Sequence, residues 1–151
     1  MPGTPTATAR ENSPFLDRLI SRHPEWLETL GASGRLEGDM PPQRSEALTL
    51  VSQAELDAGL RIFRNREMLR IIWREMTGSA SLVQTMNDLS LLAEVCLEIA
   101  ISDHRDTLQN KHGSPRDENG VEQSLIVLGL GKLGGRELNL SSDIDIIFCF
   151  S

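Results

Sequence analysis

The chain of 151 residues contains no tyrosine, only 4% aromatic residues and two cysteines. A core with so few aromatics has to be filled by aliphatic side chains, so a helical interior rich in Leu and Ile is expected. Cys96 and Cys149 stand far apart and form no metal or redox spacing. Cys96 reads as a core residue of a helix and Cys149 as a small residue of a strand, which suits a reducing compartment. His23, His104 and His112 are scattered without ligand spacing, and read as structural or surface residues. No stretch approaches the roughly 18 apolar residues of a membrane span. The opening MPGTPTATARENSP lacks the apolar centre of a signal peptide, so a disordered start over residues 1–14 and a cytoplasmic protein are expected. Cations are also in deficit: 15 Lys and Arg against 22 Asp and Glu give a net charge of −7 and a pI near 4.9. Nucleic-acid binding normally calls for a basic face, and this balance does not favour it.

What the chain does have is concentrated at Leu125–Ser151, LIVLGLGKLGGRELNLSSDIDIIFCFS. An apolar strand, Leu125–Leu128, leads into a glycine-rich turn with one lysine. A helix of at most two turns over Gly135–Leu140 and a second strand, Asp143–Phe150, complete the pattern. Side chains alternate faces along a strand, so Asp143 and Asp145 should share a face with Ile147 and Cys149. Two carboxylates roughly 7 Å apart on one face repel unless a cation lies between them. Mg²⁺ is the natural candidate, because it is a hard ion held by one or two carboxylates plus phosphate oxygens and water. The plainer alternative is a solvated turn in which Ser141, Ser142 and Asp143 make local backbone bonds.

Gly129–Gly134 spells G-x-G-x-x-G after a strand, so a dinucleotide-dependent oxidoreductase has to be considered. That fingerprint needs a full helix after the turn and an acidic residue about 20 positions on. Here the helix is short and the Asp pair comes early. A P-loop fits poorly as well, because Lys132 is followed by Leu instead of Ser or Thr. The physics common to these loops remains: glycines let backbone N–H groups approach phosphate, and a helix N-terminus adds a favourable dipole. Gly131, Lys132, Gly134, Gly135 and Ser142 are therefore candidate nucleotide- or phosphate-binding residues. A tight strand-to-helix turn with no ligand is the alternative.

Upstream, residues 15–112 read as a helical region. Phe15–Ser21 and Pro24–Leu30 form two short helices, with Pro24 at a first helical position and Gly31 as a stop. Gly31–Ser45 reads as a loop. Ser52-Gln53-Ala54-Glu55 is a capping box that opens a helix to about Thr77. On that helix Arg66, Arg70 and Arg74 recur every fourth position and should repel one another. Either they form a solvated face offset by Glu67 and Glu75, or they face an acidic partner, an internal carboxylate or a phosphate. Asn87–Asn110 reads as a further helix, followed by a polar loop over Gly113–Glu122. The first strand, a continuous apolar run, should be central and buried on both faces.

Gly129–Phe148, GLGKLGGRELNLSSDIDIIF, resembles the nucleotidyltransferase signature of the bifunctional glutamine synthetase adenylyltransferase/adenylyl-removing enzymes. These belong to the DNA polymerase β-like superfamily, which carries a G-G or G-S turn followed by D-x-D. Phe63–Ile71, FRNREMLRI, is similar to the arginine-rich helix before the first catalytic domain of that family. The resemblance covers roughly Ala54–Ser151. It implies an α+β fold, with an N-terminal helical region followed by the first strand-helix-strand unit of a nucleotidyltransferase domain. It implies that Gly134 and Gly135 hold phosphate and that Asp143 and Asp145, as the catalytic pair, hold Mg²⁺. The wording near Met1 looks like the adenylyl-removing copy, in which phosphate attacks AMP on a modified tyrosine of glutamine synthetase and releases ADP. The other copy attaches AMP from ATP, and a PII-type regulatory protein selects between them. With no tyrosine here, the acceptor lies on the partner. The family fold needs a third carboxylate on a later strand, so the chain reads as the front piece of a longer protein, with 121–151 opening the catalytic domain and little activity alone. A non-catalytic partner-binding chain is the other reading.

Overall fold

In the computed structural model, residues 5–150 are described. The region expected to be disordered lies partly outside them, at residues 1–4. Its described part forms helix α1 (Pro5–Asn12). This departs from the expectation because α1 finds partners: Ala9 is buried, and Arg10 bonds Asp17 (2.6 Å) and Ser21 (2.8 Å) of the next helix. Helix α2 (Pro14–Arg22) begins where the Ser13 hydroxyl accepts the Leu16 N–H, with Pro14 in the first turn. Leu16, Leu19 and Ile20 share its inner face. Helix α3 (Pro24–Ala32) follows after one residue and buries Leu30.

The expected loop ends in helix α4 (Arg44–Ser52). Ser52 closes this helix, its hydroxyl donating to the Thr49 carbonyl at 2.8 Å, and does not cap the next one. Helix α5 (Leu56–Met76) starts after Glu55, which makes no side-chain cap. The break has a steric cause. The two helices cross at Gly59, where a Cβ would stand 2.6 Å from the Val51 Cα. The capping box that does form is Ser81–Gln84, which opens the long helix α6 (Leu82–His112).

Helix α5 is central and packs against α1, α2, α3, α4 and α6. Every residue from Glu67 to Arg74 is buried as a result. This overturns the solvated arginine face in favour of internal carboxylates. Arg70 Nε donates to Glu67 Oε2 and its Nη2 to Asp88 Oδ2, both at 2.8 Å. Arg74 Nη1 lies 3.5 Å from the same Asp88 oxygen. Arg35 pairs with Glu67 at 2.8 Å and also with Glu46, while Arg66 pairs with Glu46 at 2.9 Å. Burial pushes the Glu67 carboxyl above its usual value, and the Arg70 and Arg35 guanidiniums pull it back in part.

Strands β1 (Leu125–Leu130) and β2 (Asp145–Phe150) pair antiparallel, from Leu125↔Phe150 to Leu130↔Asp145. The fold is α+β, as expected, but three details differ. The connecting helix α7 is Gly131–Gly134, and the expected helix over Gly135–Leu140 is a chain of turns. Strand β2 starts at Asp145 instead of Asp143. Strand β1 is not buried on both faces. Val127 and Ile146 look towards α6, whereas Ile126, Leu128 and Ile147 are exposed, because nothing among the described residues packs on their side.

Candidate functional site

The glycine turn is set by contact distances. A Cβ on Gly134 would stand 2.5 Å from the Gly129 carbonyl oxygen, so α7 lies directly on the backbone of β1. Gly131 has φ +53°, a left-handed value that favours glycine, and a Cβ there would lie 3.2 Å from Asp145 Oδ2. The Asp145 carboxylate thus rests against the start of α7. In the ladder, Asp145 faces Leu130, and its side chain shares the exposed sheet face with Ile147 and Cys149. Lys132 is exposed in the same turn. Gly135 continues it, its N–H donating to the Gly131 carbonyl at 3.0 Å.

Asp143 is placed differently. It precedes the ladder, is exposed, and borders a 490 Å³ cavity between α5, α6 and the 138–144 loop, lined by Leu60, Met68, Leu92 and Cys96 among others. Ser142 is engaged locally. Its hydroxyl donates to Asn139 Oδ1 at 2.8 Å and accepts the Asn139 N–H at 3.1 Å, while the Ser141 N–H also bonds Asn139 Oδ1. Asn139 therefore organises the bend that delivers Asp143, a role signalled by Asn-x-Ser-Ser but not read from it. Arg136, which holds Glu94 of α6 through Nη2 at 3.1 Å, was also missed; nothing in a linear sequence pairs those two positions.

Both aspartates offer exposed carboxylate oxygens, a hard donor set of the kind Mg²⁺ takes, with water and phosphate filling its remaining positions. Among the described residues no three or more His, Cys, Asp or Glu gather into a metal-holding group. His23 stacks on Trp26 with ring centroids 3.9 Å apart, while His104 and His112 are exposed on α6. Cys96 is held among apolar side chains, and burial pushes its thiol up to about 11.

The dinucleotide reading fails on topology. A βαβ unit needs parallel strands joined by a long crossover helix, whereas β1 and β2 are antiparallel and α7 has four residues.

The glutamate-ammonia ligase adenylyltransferase family model matches residues 6–151. The chain belongs to this family. Similar relatives are the bifunctional glutamine synthetase adenylyltransferase/adenylyl-removing enzymes of Thioalkalivibrio sulfidiphilus, Shewanella woodyi and Pseudomonas putida. The first is 43% identical over 145 residues, covering 92% of this chain and 15% of that protein. The second is 42% identical over 146 residues, covering 91% and 15%. The third is 42% identical over 145 residues, with the same shares. The chain thus spans about 15% of the length of these curated relatives. Adenylyltransferase family membership extends through the α5–α6 ion-pair network and through the glycine turn alike. No described helix is long and apolar enough to cross a membrane.

Proposed function

We propose that this chain contributes to Mg²⁺-dependent nucleotidyl transfer on glutamine synthetase, in the adenylyl-removing direction. The carrying observation is the approach of the Asp145 carboxylate to Gly131, where a left-handed backbone leaves no room for a side chain. This brings the exposed backbone of the glycine turn and a carboxylate oxygen to one spot. Asp143 and Asp145 would hold Mg²⁺, which when bound would neutralise charge on phosphate oxygens. Gly131, Gly134 and Gly135 would present backbone to the phosphate, and Lys132 would add a point charge. Ser142 would act by shaping the bend ahead of Asp143. The acceptor tyrosine and its AMP belong to glutamine synthetase, the attacking group is phosphate and the product ADP. A PII-type protein is the expected regulator, and the cytoplasm the expected place.

The test is phosphorolysis of adenylylated glutamine synthetase by the intact protein, with and without Mg²⁺. Asp145→Asn should abolish ADP formation and leave the helical circular dichroism unchanged. Substantial activity in that variant would remove Asp145 from the metal site and, with it, this reading.

A further inference from the structure

The end of α7 closes as a Schellman motif. The Glu137 N–H donates to the Lys132 carbonyl at 2.7 Å, and the Arg136 N–H to the Leu133 carbonyl at 3.1 Å. The residue just past such a helix end is usually glycine, because it must be left-handed. Here it is Arg136, with φ +56°, the sole non-glycine residue of positive φ among those described. Gly134 and Gly135 stand immediately before it, so glycine was within one position of the place that suits it.

The backbone gains nothing from arginine at that position, which turns attention to the side chain. The guanidinium crosses to α6, where Nη2 donates to both carboxylate oxygens of Glu94, at 3.2 and 3.1 Å, over 42 residues of sequence. The pair is well exposed, with side chains 60% and 35% accessible, so it adds little to global stability. Its effect is geometric. Leu133 and Leu138 sink into the core on either side of the bend, and Arg136 tethers the bend between them. The same turn carries Gly134, pressed on β1, and Gly131, pressed on Asp145. Displacement of the turn would therefore change the surroundings of that carboxylate.

We propose that Arg136 is a positioning residue, held by Glu94, that fixes the glycine turn against Asp145; its link to catalysis rests on the nucleotidyl-transfer reading above. The experiment uses the intact protein and four variants: Arg136→Gly, Arg136→Lys, Glu94→Gln, and Arg136→Gly combined with Glu94→Gln. Three readouts are thermal unfolding, amide hydrogen exchange over residues 131–137, and steady-state phosphorolysis of adenylylated glutamine synthetase. Arg136→Gly should unfold at the parent temperature or above it, because glycine relieves the backbone. It should nevertheless exchange faster over 131–137 and lose about 10- to 100-fold in kcat with little change in KM. Glu94→Gln should reproduce this, the double variant should be no worse than either single one, and Arg136→Lys should recover part of the loss. Parental exchange and kcat in Arg136→Gly would overturn the proposal. If the unsubstituted protein performs no Mg²⁺-dependent transfer, the reaction reading fails by itself. Exchange then decides the tether: faster exchange in Arg136→Gly supports it, and parental exchange overturns it.

Discussion

Arg70 Nη2 lies 2.8 Å from Asp88 Oδ2 where α5 packs on α6, and Arg70 exposes none of its surface. Its Nε is held at the same distance by Glu67, also fully buried. One guanidinium therefore joins two carboxylates from two helices in the interior. Planar, multi-donor geometry of this kind suits arginine and not lysine.

Truncating Arg70 would leave two buried carboxylates short of a cation. Arg70→Ala should destabilise the fold by about 3–5 kcal/mol, measured by urea unfolding. Arg66→Ala, at the half-buried end of the network, should cost clearly less. Equal losses at the two positions would contradict the central role given to Arg70.

Glu67 makes stability depend on pH with a definite sign. Burial raises its carboxyl above the usual 4.5, so the folded state binds the proton more tightly than the unfolded chain. The group's contribution is full below that usual value and is lost as pH rises through the raised one. The unfolding temperature of the parent relative to Glu67→Gln should fall as pH rises from below the usual 4.5 through the raised value. A difference that rises over that interval would mean that the guanidiniums outweigh burial.

Gly134 has no space for a methyl group. Gly134→Ala should force α7 away from β1 and cost about 1–3 kcal/mol. Thermal unfolding reads the loss, and an unchanged midpoint would show that the turn yields freely.

The Cys96 thiol should be slow to react. With its pKa pushed up to about 11 by burial, the thiolate fraction near neutral pH is small. Iodoacetamide labelling at Cys96 should lag well behind a free exposed thiol and keep accelerating as pH approaches that value. A rate matching free cysteine would mean that the α5–α6 cavity is open to water.

Local signals carried well where a single element decided the outcome. Pro24 marks a helix start, and the alternation around Asp145 puts it on the sheet face with Ile147 and Cys149. They misled where two elements met. Ser52 has the pattern of a cap, but the crossing of α4 and α5 at Gly59 makes it a helix end. Asp143 has the spacing of a strand residue, but the Asn139–Ser142 bend keeps it out of the ladder.

By itself the sequence carried the motifs whose resemblance implies the family and its α+β class, and the run of glycines and aspartates that names the candidate chemistry. A motif is a matter of residue type and order along the chain, which are local. The tertiary structure alone decided that Arg70 and Arg74 of α5 face Glu67 and Asp88 instead of water, because burial depends on which helices surround a face. It alone set Gly131 against Asp145 and Arg136 against Glu94, since contacts between distant positions are specified by packing and not by any pattern along the chain.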